Sequence, residues 1–280
     1  MIKKSSFTTV LLFVIFLAGL SLLLYPTISD YWNSLHQSRA ISSYTEEVAQ
    51  LDPDKCEEVL DAAVAYNISL LRRPISYFMD EEQVNDYRRQ LDITGTGIMG
   101  YVEIPAINCS LPIYHGTEET VLQTAVGHLE WTSLPVGGTN THSVLSGHRG
   151  LPSAKLFTNL DQLTEGDFFI LRVMNNVLTY EVDRILIVEP SDTKDLQIVP
   201  GEDLCTLITC TPYGINSHRL LVRGHRIENP ESAAAVHIVA DAIQVDPNVV
   251  APIIAVPMLI VLLSVVLYRT RKRARKEWFI

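Results

Sequence analysis

The sequence predicts a mainly β domain, a closed or nearly closed barrel, held between two apolar segments. Three observations point there. From Ile98 onward, seven short runs mostly alternate apolar and polar residues and are bounded by Gly, Pro and Asn clusters. Helical periodicity is confined to the stretch before Arg72 and to two short later segments. Two charge-free runs, Phe7–Tyr25 and Val249–Tyr268, stand outside the strand-rich region.

Each apolar run is long enough to cross a bilayer as a helix. Pro252 and Pro257 lie in the second run, where a membrane helix tolerates proline better than a soluble one does. Lys3 and Lys4 precede the first run, and six basic residues between Arg269 and Lys276 follow the second. Basic flanks stay cytoplasmic, so both termini point inward and the segment between the runs lies outside. A cleaved signal peptide is the alternative for the first run, but Leu22–Pro26 is too bulky for a small-residue cleavage site. The reading is an uncleaved anchor, with the basic tail resting on anionic inner-leaflet lipid.

Ile28–Leu71 reads as helix, interrupted at Asp52-Pro53, an N-cap followed by a first-turn proline. Arg72–Ile93 is less regular, and Thr94–Gly97 is a turn. The expected strands are 98–104, 111–115, 142–147, 167–173, 177–189, 203–210 and 219–227. Met174–Asn176 forms a tight hairpin turn. Short helices are expected at Glu119–Glu130 and Leu156–Leu163. Seven or eight strands in such a length favour barrel closure. The organisation is therefore an anchor over 1–27 and a helical extension over 28–96. The barrel occupies 97–228, followed by a linker over 229–248, a second span over 249–268 and a basic tail over 269–280.

The chain carries 32 acidic and 22 basic residues. Eight of the basic ones flank the membrane runs, so the external part is strongly acidic. Such a surface excludes non-specific nucleic-acid binding. No histidine pair has helical metal-ligand spacing with an acidic third ligand, so no metal site is expected. Cys205 and Cys210 lie on one strand with opposite facing and cannot bridge. A free thiol in an oxidising compartment points to chemistry.

Cys210 ends an apolar strand and Arg219 begins the next, across a turn of Pro212, Gly214, Asn216 and Ser217. A hairpin sets the thiol beside a guanidinium able to hold an oxyanion. Arg223 and Arg226 are rivals. A cysteine nucleophile also needs an acid–base partner. His115, His128, His142, His148, His218 and His225 all qualify by position, and the glycine-flanked His148 at a strand end is a plausible rim residue. Cys56 and Cys205 read as packing residues.

Longer motifs narrow these choices. Thr206–Cys210 followed by Arg219 resembles the active-site signature of the sortases, membrane-bound cysteine transpeptidases of Gram-positive surfaces. Gly100–Pro105, Leu111–Gly116, Val126–Glu130, Ser146–Phe157 and Thr209–Arg219 resemble the class C, pilus-building branch. The resemblance runs from about Gly97 to Ile227. It implies an eight-stranded barrel, with Cys210 as nucleophile, His148 as acid–base and Arg219 as oxyanion and orienting residue. It implies no cofactor. The implied partners are pilins or surface proteins with C-terminal sorting signals, besides lipid around two spans. Class C members usually carry a lid with an Asp-Pro-aromatic element. That tripeptide is missing before Gly97, and the nearest candidates for a lid are Tyr77, Phe78 and Asp80, in reversed order and without the proline. Two other readings stand beside pilus polymerisation. One is attachment of proteins to peptidoglycan; the other is a non-catalytic tethered binding barrel.

Overall fold

The computed structural model describes residues 2–73 and 78–230, together with 256, 259 and 260. The chain divides into two units, one containing the N-terminal part of the first helix up to Ile28, the other beginning at Ser29. The first unit contributes the start of α1 (Ile2–Gln50). From Leu11 on, this helix is long and apolar enough to cross a membrane, and it is the one such helix among the described residues. Nearly all of the second expected span and of the expected linker, and the whole basic tail, lie outside the described residues.

In the second unit, α2 (Pro53–Leu70) follows α1 after a break at Asp52. The Asp52 carboxylate accepts the Asp54 backbone N–H, and Pro53 occupies the first turn. Within the less regular stretch Arg72–Ile93 the structure forms a helix, α3 (Glu81–Arg89). Asp80 and Gln83 form a capping box there, each side chain accepting the other's backbone N–H. With a cap and nine polar-rich residues, the helix has too short an apolar stripe to register as periodicity.

Eight strands close into a barrel. They are β1 (Ile98–Ile104), β2 (Cys109–His115), β3 (Val126–His128), β4 (Thr141–Ser146), β5 (Phe168–Val173), β6 (Asn176–Val188), β7 (Asp203–Thr211) and β8 (His218–Ile227). Their order around the barrel is β1-β2-β3-β4-β7-β8-β6-β5. The pairs β2–β3 and β4–β7 are parallel and the rest antiparallel. Closure leaves no free sheet edge. The expected helix Glu119–Glu130 is corrected: α4 covers only Glu119–Leu122, and β3 takes Val126–His128. The helix-like spacing of Val121, Leu122, Ala125 and Leu129 is overridden because β2 and β4 flank this segment and capture its backbone hydrogen bonds. The expected helix Leu156–Leu163 shrinks to a 3-10 turn at Leu160–Gln162.

The barrel interior is a dense apolar core that includes Val102, Ile113, Phe169, Leu171, Cys205, Leu207 and Val222. A second, smaller cluster of Val144, Leu196, Ile208 and Leu221 lies on the outer face. On β7 the alternation is clear: Cys205 and Leu207 pack with the core, Ile208 with the outer cluster.

Three buried polar contacts fasten the helices to the barrel. Tyr44 of α1 donates to the Met99 carbonyl at 3.0 Å and accepts the Met174 N–H at 2.7 Å. Asn67 of α2 exchanges two bonds with the backbone of Leu134, at 3.1 and 2.7 Å. Tyr87 of α3 accepts the Gly116 N–H at 3.0 Å, and its hydroxyl lies 3.0 Å from His128 Nδ1. His128 Nε2 faces the Ser133 carbonyl at 2.8 Å and must donate, so Nδ1 is free to accept from Tyr87.

Full burial of His128 opposes its charged form and pushes its pKa from 6.5 down to about 4. The unfolded chain takes up this proton near pH 6.5 while the folded chain refuses it until about pH 4. The stabilisation is thus whole above pH 6.5 and lost as pH falls through this window. Urea titrations across the window are expected to show a loss on the order of 3 kcal/mol from this group. A His128→Gln variant should show a correspondingly flatter pH dependence.

Candidate active site

Two strand registers bring the sequence-nominated residues into one row. Between β7 and β8, Cys210 is the direct partner of Arg219. Between β4 and β7 the parallel register runs to Ser146 opposite Ile208. It continues past the strand end: the Gly147 N–H donates to the Ile208 carbonyl at 3.0 Å, and Thr209 Oγ1 donates to the Gly147 carbonyl at 2.8 Å. Arg149 Nη1 donates to Thr211 Oγ1 at 3.4 Å in the same alignment. His148 therefore sits opposite Cys210. Residues two apart on a strand share a face, so Ile208 and Cys210 look outward with Leu221 and Arg219.

The motif Ser-Gly-His-Arg-Gly now has a steric reason. A side chain at Gly147 would meet the Phe157 ring at 2.7 Å. Gly150 adopts a positive φ of 75° and packs under Tyr213, so a larger residue would be strained and crowded. Tyr213 belongs to the β7–β8 turn and its ring also lies against the Arg149 guanidinium. The loop bearing His148 is closed by the Phe157 N–H donating to the His148 carbonyl at 3.1 Å. Arg149 is ion-paired with Asp161.

Cys210 and Arg219 are both partly exposed. Arg219 Nη1 donates to the carbonyls of His218 and Asn216, at 3.2 and 3.4 Å. The other cysteines are poor candidates for reaction. Burial pushes the Cys109 thiol up to about 12 and the Cys205 thiol well above its ordinary range. Cys56 is buried against α2's neighbours, and all four cysteines are free.

A groove of about 390 Å³ begins at Arg219 and runs along the outer face. Ile208, Leu221, Val188, Leu196 and Trp131 line it together with the polar Glu130, Ser146 and Asp192. The β6–β7 loop contributes Pro190, Asp192, Thr193 and Leu196 to it, and that loop is pinned by His142, one of the six candidate histidines. His142 Nδ1 donates to the Gln197 carbonyl at 2.8 Å, and Nε2 accepts from Thr206 Oγ1 at 2.7 Å. Burial holds the ring below the ordinary imidazole range, in the neutral form this bonding requires. Its signal in the sequence was the β4 alternation, which sets His142, Val144 and Ser146 on the same outward face.

The lid candidates are only partly among the described residues. Tyr77 lies outside the described residues. Phe78 is 88% exposed. The Asp80 carboxylate is engaged in capping α3. Among the described residues no group of three metal-ligating side chains converges.

Residues 102–227 match the model of the sortase domain. Sortase D of Bacillus subtilis is 33% identical over 131 residues, spanning 46% of this chain and 63% of that relative. The solved structure of sortase C1 from Streptococcus agalactiae is 51% identical with a TM-score of 0.67, covering 69% of this chain and 100% of that one. Sortase C of Streptococcus pneumoniae is 47% identical with a TM-score of 0.60, covering 68% of this chain and 97% of that one. This chain belongs to the sortase family. Sortase C structures are among its structural neighbours, and the eight-stranded barrel expected from the resemblance is the sortase barrel.

Because Gly147 lies against the Phe157 ring, Gly147→Ala must displace one or the other. Thermal unfolding is expected to show a loss of about 1–3 kcal/mol, the usual cost of overpacking.

Proposed function

We propose that this sortase is a membrane-anchored cysteine transpeptidase that polymerises pili. The alignment of Cys210 with both His148 and Arg219 carries this reading. In the proposed reaction the Cys210 thiolate attacks the Thr–Gly carbonyl of a sorting signal resembling Leu-Pro-x-Thr-Gly. Arg219 holds the oxyanion with guanidinium donors. His148 protonates the leaving amine, leaving a thioester. A lysine ε-amine of another pilin then attacks, His148 takes its proton, and an isopeptide bond forms as the thiolate is released. The groove leading to Arg219, lined by apolar and polar side chains alike, supports a path for the residues ahead of the scissile bond. The anchor is α1, with the second apolar run as a further span, both termini cytoplasmic and the barrel outside. Tethering raises the encounter rate with substrates that are themselves held at the membrane.

The class C neighbours favour a pilin acceptor, and one of them is described by its pilin substrate specificity. Attachment to peptidoglycan is the competing reading. Offering the acyl-enzyme a pilin lysine and a cell-wall amine together, with products resolved by mass spectrometry, separates them. The lysine adduct is expected to dominate.

Cys210→Ala should abolish transfer from a sorting-signal peptide, and retained turnover would remove the thiol from the mechanism. Arg219→Lys keeps the charge but loses the fork, and a fall of at least 10-fold in kcat is expected. An unchanged rate would exclude Arg219 as the oxyanion donor.

A further inference from the structure

His148 has one polar atom that the barrel leaves unserved. Its Nε2 is shut off from solvent and has no hydrogen-bond partner among the described residues. A carboxylate faces it: Glu119 Oε2 is 3.5 Å away. That gap is a few tenths of an ångström beyond a good N–H···O distance. Glu119 stands at the start of α4, in a segment whose sequence reads simply as helix surface.

The carboxylate is held from the other side. Gln123, one turn further on, donates from Nε2 to Glu119 Oε1 at 3.2 Å. The segment is also tied to α1, where Gln37 Nε2 donates to the Thr124 carbonyl at 2.7 Å. The same helix fastens the loop that carries the imidazole. Asn33 Nδ2 donates to the Ser153 carbonyl at 2.8 Å, and Asp30 Oδ1 accepts the Lys155 N–H at 2.7 Å. One helix thus sets the spacing between the acid and the ring. The other titratable or charged groups around His148 are Cys210 on β7, Arg219 on β8, and Arg149 with its partner Asp161. Glu119 is the acid among the described residues that pairs with Nε2.

We propose that Glu119 is a positioning residue for His148, accepting the Nε2 proton so that Nδ1 is the nitrogen presented to Cys210 and to the leaving amine. The proposal rests on the acyl-transfer reading above. The proton count closes. The Cys210 S–H proton passes to Nδ1, giving an imidazolium whose Nε2–H stays on Glu119. When the tetrahedral adduct collapses, the Nδ1 proton leaves with the amine, and Glu119 neither gains nor loses one. A carboxylate beside the ring favours the imidazolium, as the acid of a Ser-His-Asp triad does. The Glu119 side chain is 67% exposed, so its effect is that of a solvent-screened pair.

The test is the pH profile of kcat/KM for the full-length chain in detergent micelles, with a fluorogenic Leu-Pro-x-Thr-Gly peptide. Glu119→Gln, which keeps the shape and removes the charge, is expected to lower kcat about 2- to 5-fold with KM unchanged. The acid limb of the profile should move toward lower pH, because the variant has no counter-charge beside the cationic ring. Glu119→Asp should recover at least half of both effects. A Glu119→Gln profile superimposed on the wild type, with His148→Ala inactive, overturns the positioning role and leaves the acyl-transfer reading intact. An equal loss in Gln and Asp variants with no movement of the limb overturns it as well. Wild-type turnover by His148→Ala would instead bring down the acyl-transfer reading, and this proposal with it.

Discussion

The parallel pairing of β4 with β7 is the constraint on which the site depends. It aligns residues 62 apart in sequence and persists past the end of β4 through Gly147, Thr209 and the Arg149–Thr211 contact. Without that continuation the loop after β4 would leave the sheet before reaching His148. The antiparallel β7–β8 register then adds Arg219 on the other side of Cys210. Cys210 and Arg219 stand on paired strands, and the loop that leaves β4 is held against β7 by the Gly147 contacts, which carries His148 along the same row. Such a frame holds reacting groups more closely than a loop would.

The outer face of these strands is apolar, unlike an ordinary solvated barrel wall. Val144, Ile208 and Leu221 would be exposed there but for the β6–β7 loop, whose Leu196 packs onto them. His142 secures that loop from beneath with both ring nitrogens in use. A neutral imidazole is one donor and one acceptor, which is what the Gln197 carbonyl and the Thr206 hydroxyl require. Its burial and its bonding therefore support the same protonation state. The loop contributes groove wall because a buried polar contact anchors it, which apolar packing alone would do less specifically.

The helical extension belongs to the same frame. Tyr44, Asn67 and Tyr87 each satisfy barrel backbone groups that would otherwise be buried without partners. An unsatisfied buried group costs about 1–3 kcal/mol, so each contact makes helix and barrel interdependent. Asp80 illustrates the reverse. A candidate lid acid by its place in the sequence, it closes the first turn of α3 with one oxygen.

Much was legible in the residues themselves. Alternation and turn chemistry located the long strands, and Asp52-Pro53 located the break between α1 and α2, because these signals are local. The family motifs named Cys210, His148 and Arg219, and the registers set them side by side. Strand β3 was not legible: it is three residues long and exists only because β2 and β4 lie on either side of it. Glu119 was not legible either. A carboxylate on a short helix carries no sign of what it faces, and its approach to His148 is set by α1 holding Thr124, Ser153 and Lys155. The long strands, the tight turns and the chemical identities at the site could be read from the residues alone, since these follow from local backbone preference and side-chain chemistry. Only the tertiary structure decided which groups meet, because contacts between residues far apart in the chain depend on register and on helix docking, and neither is written in any one segment.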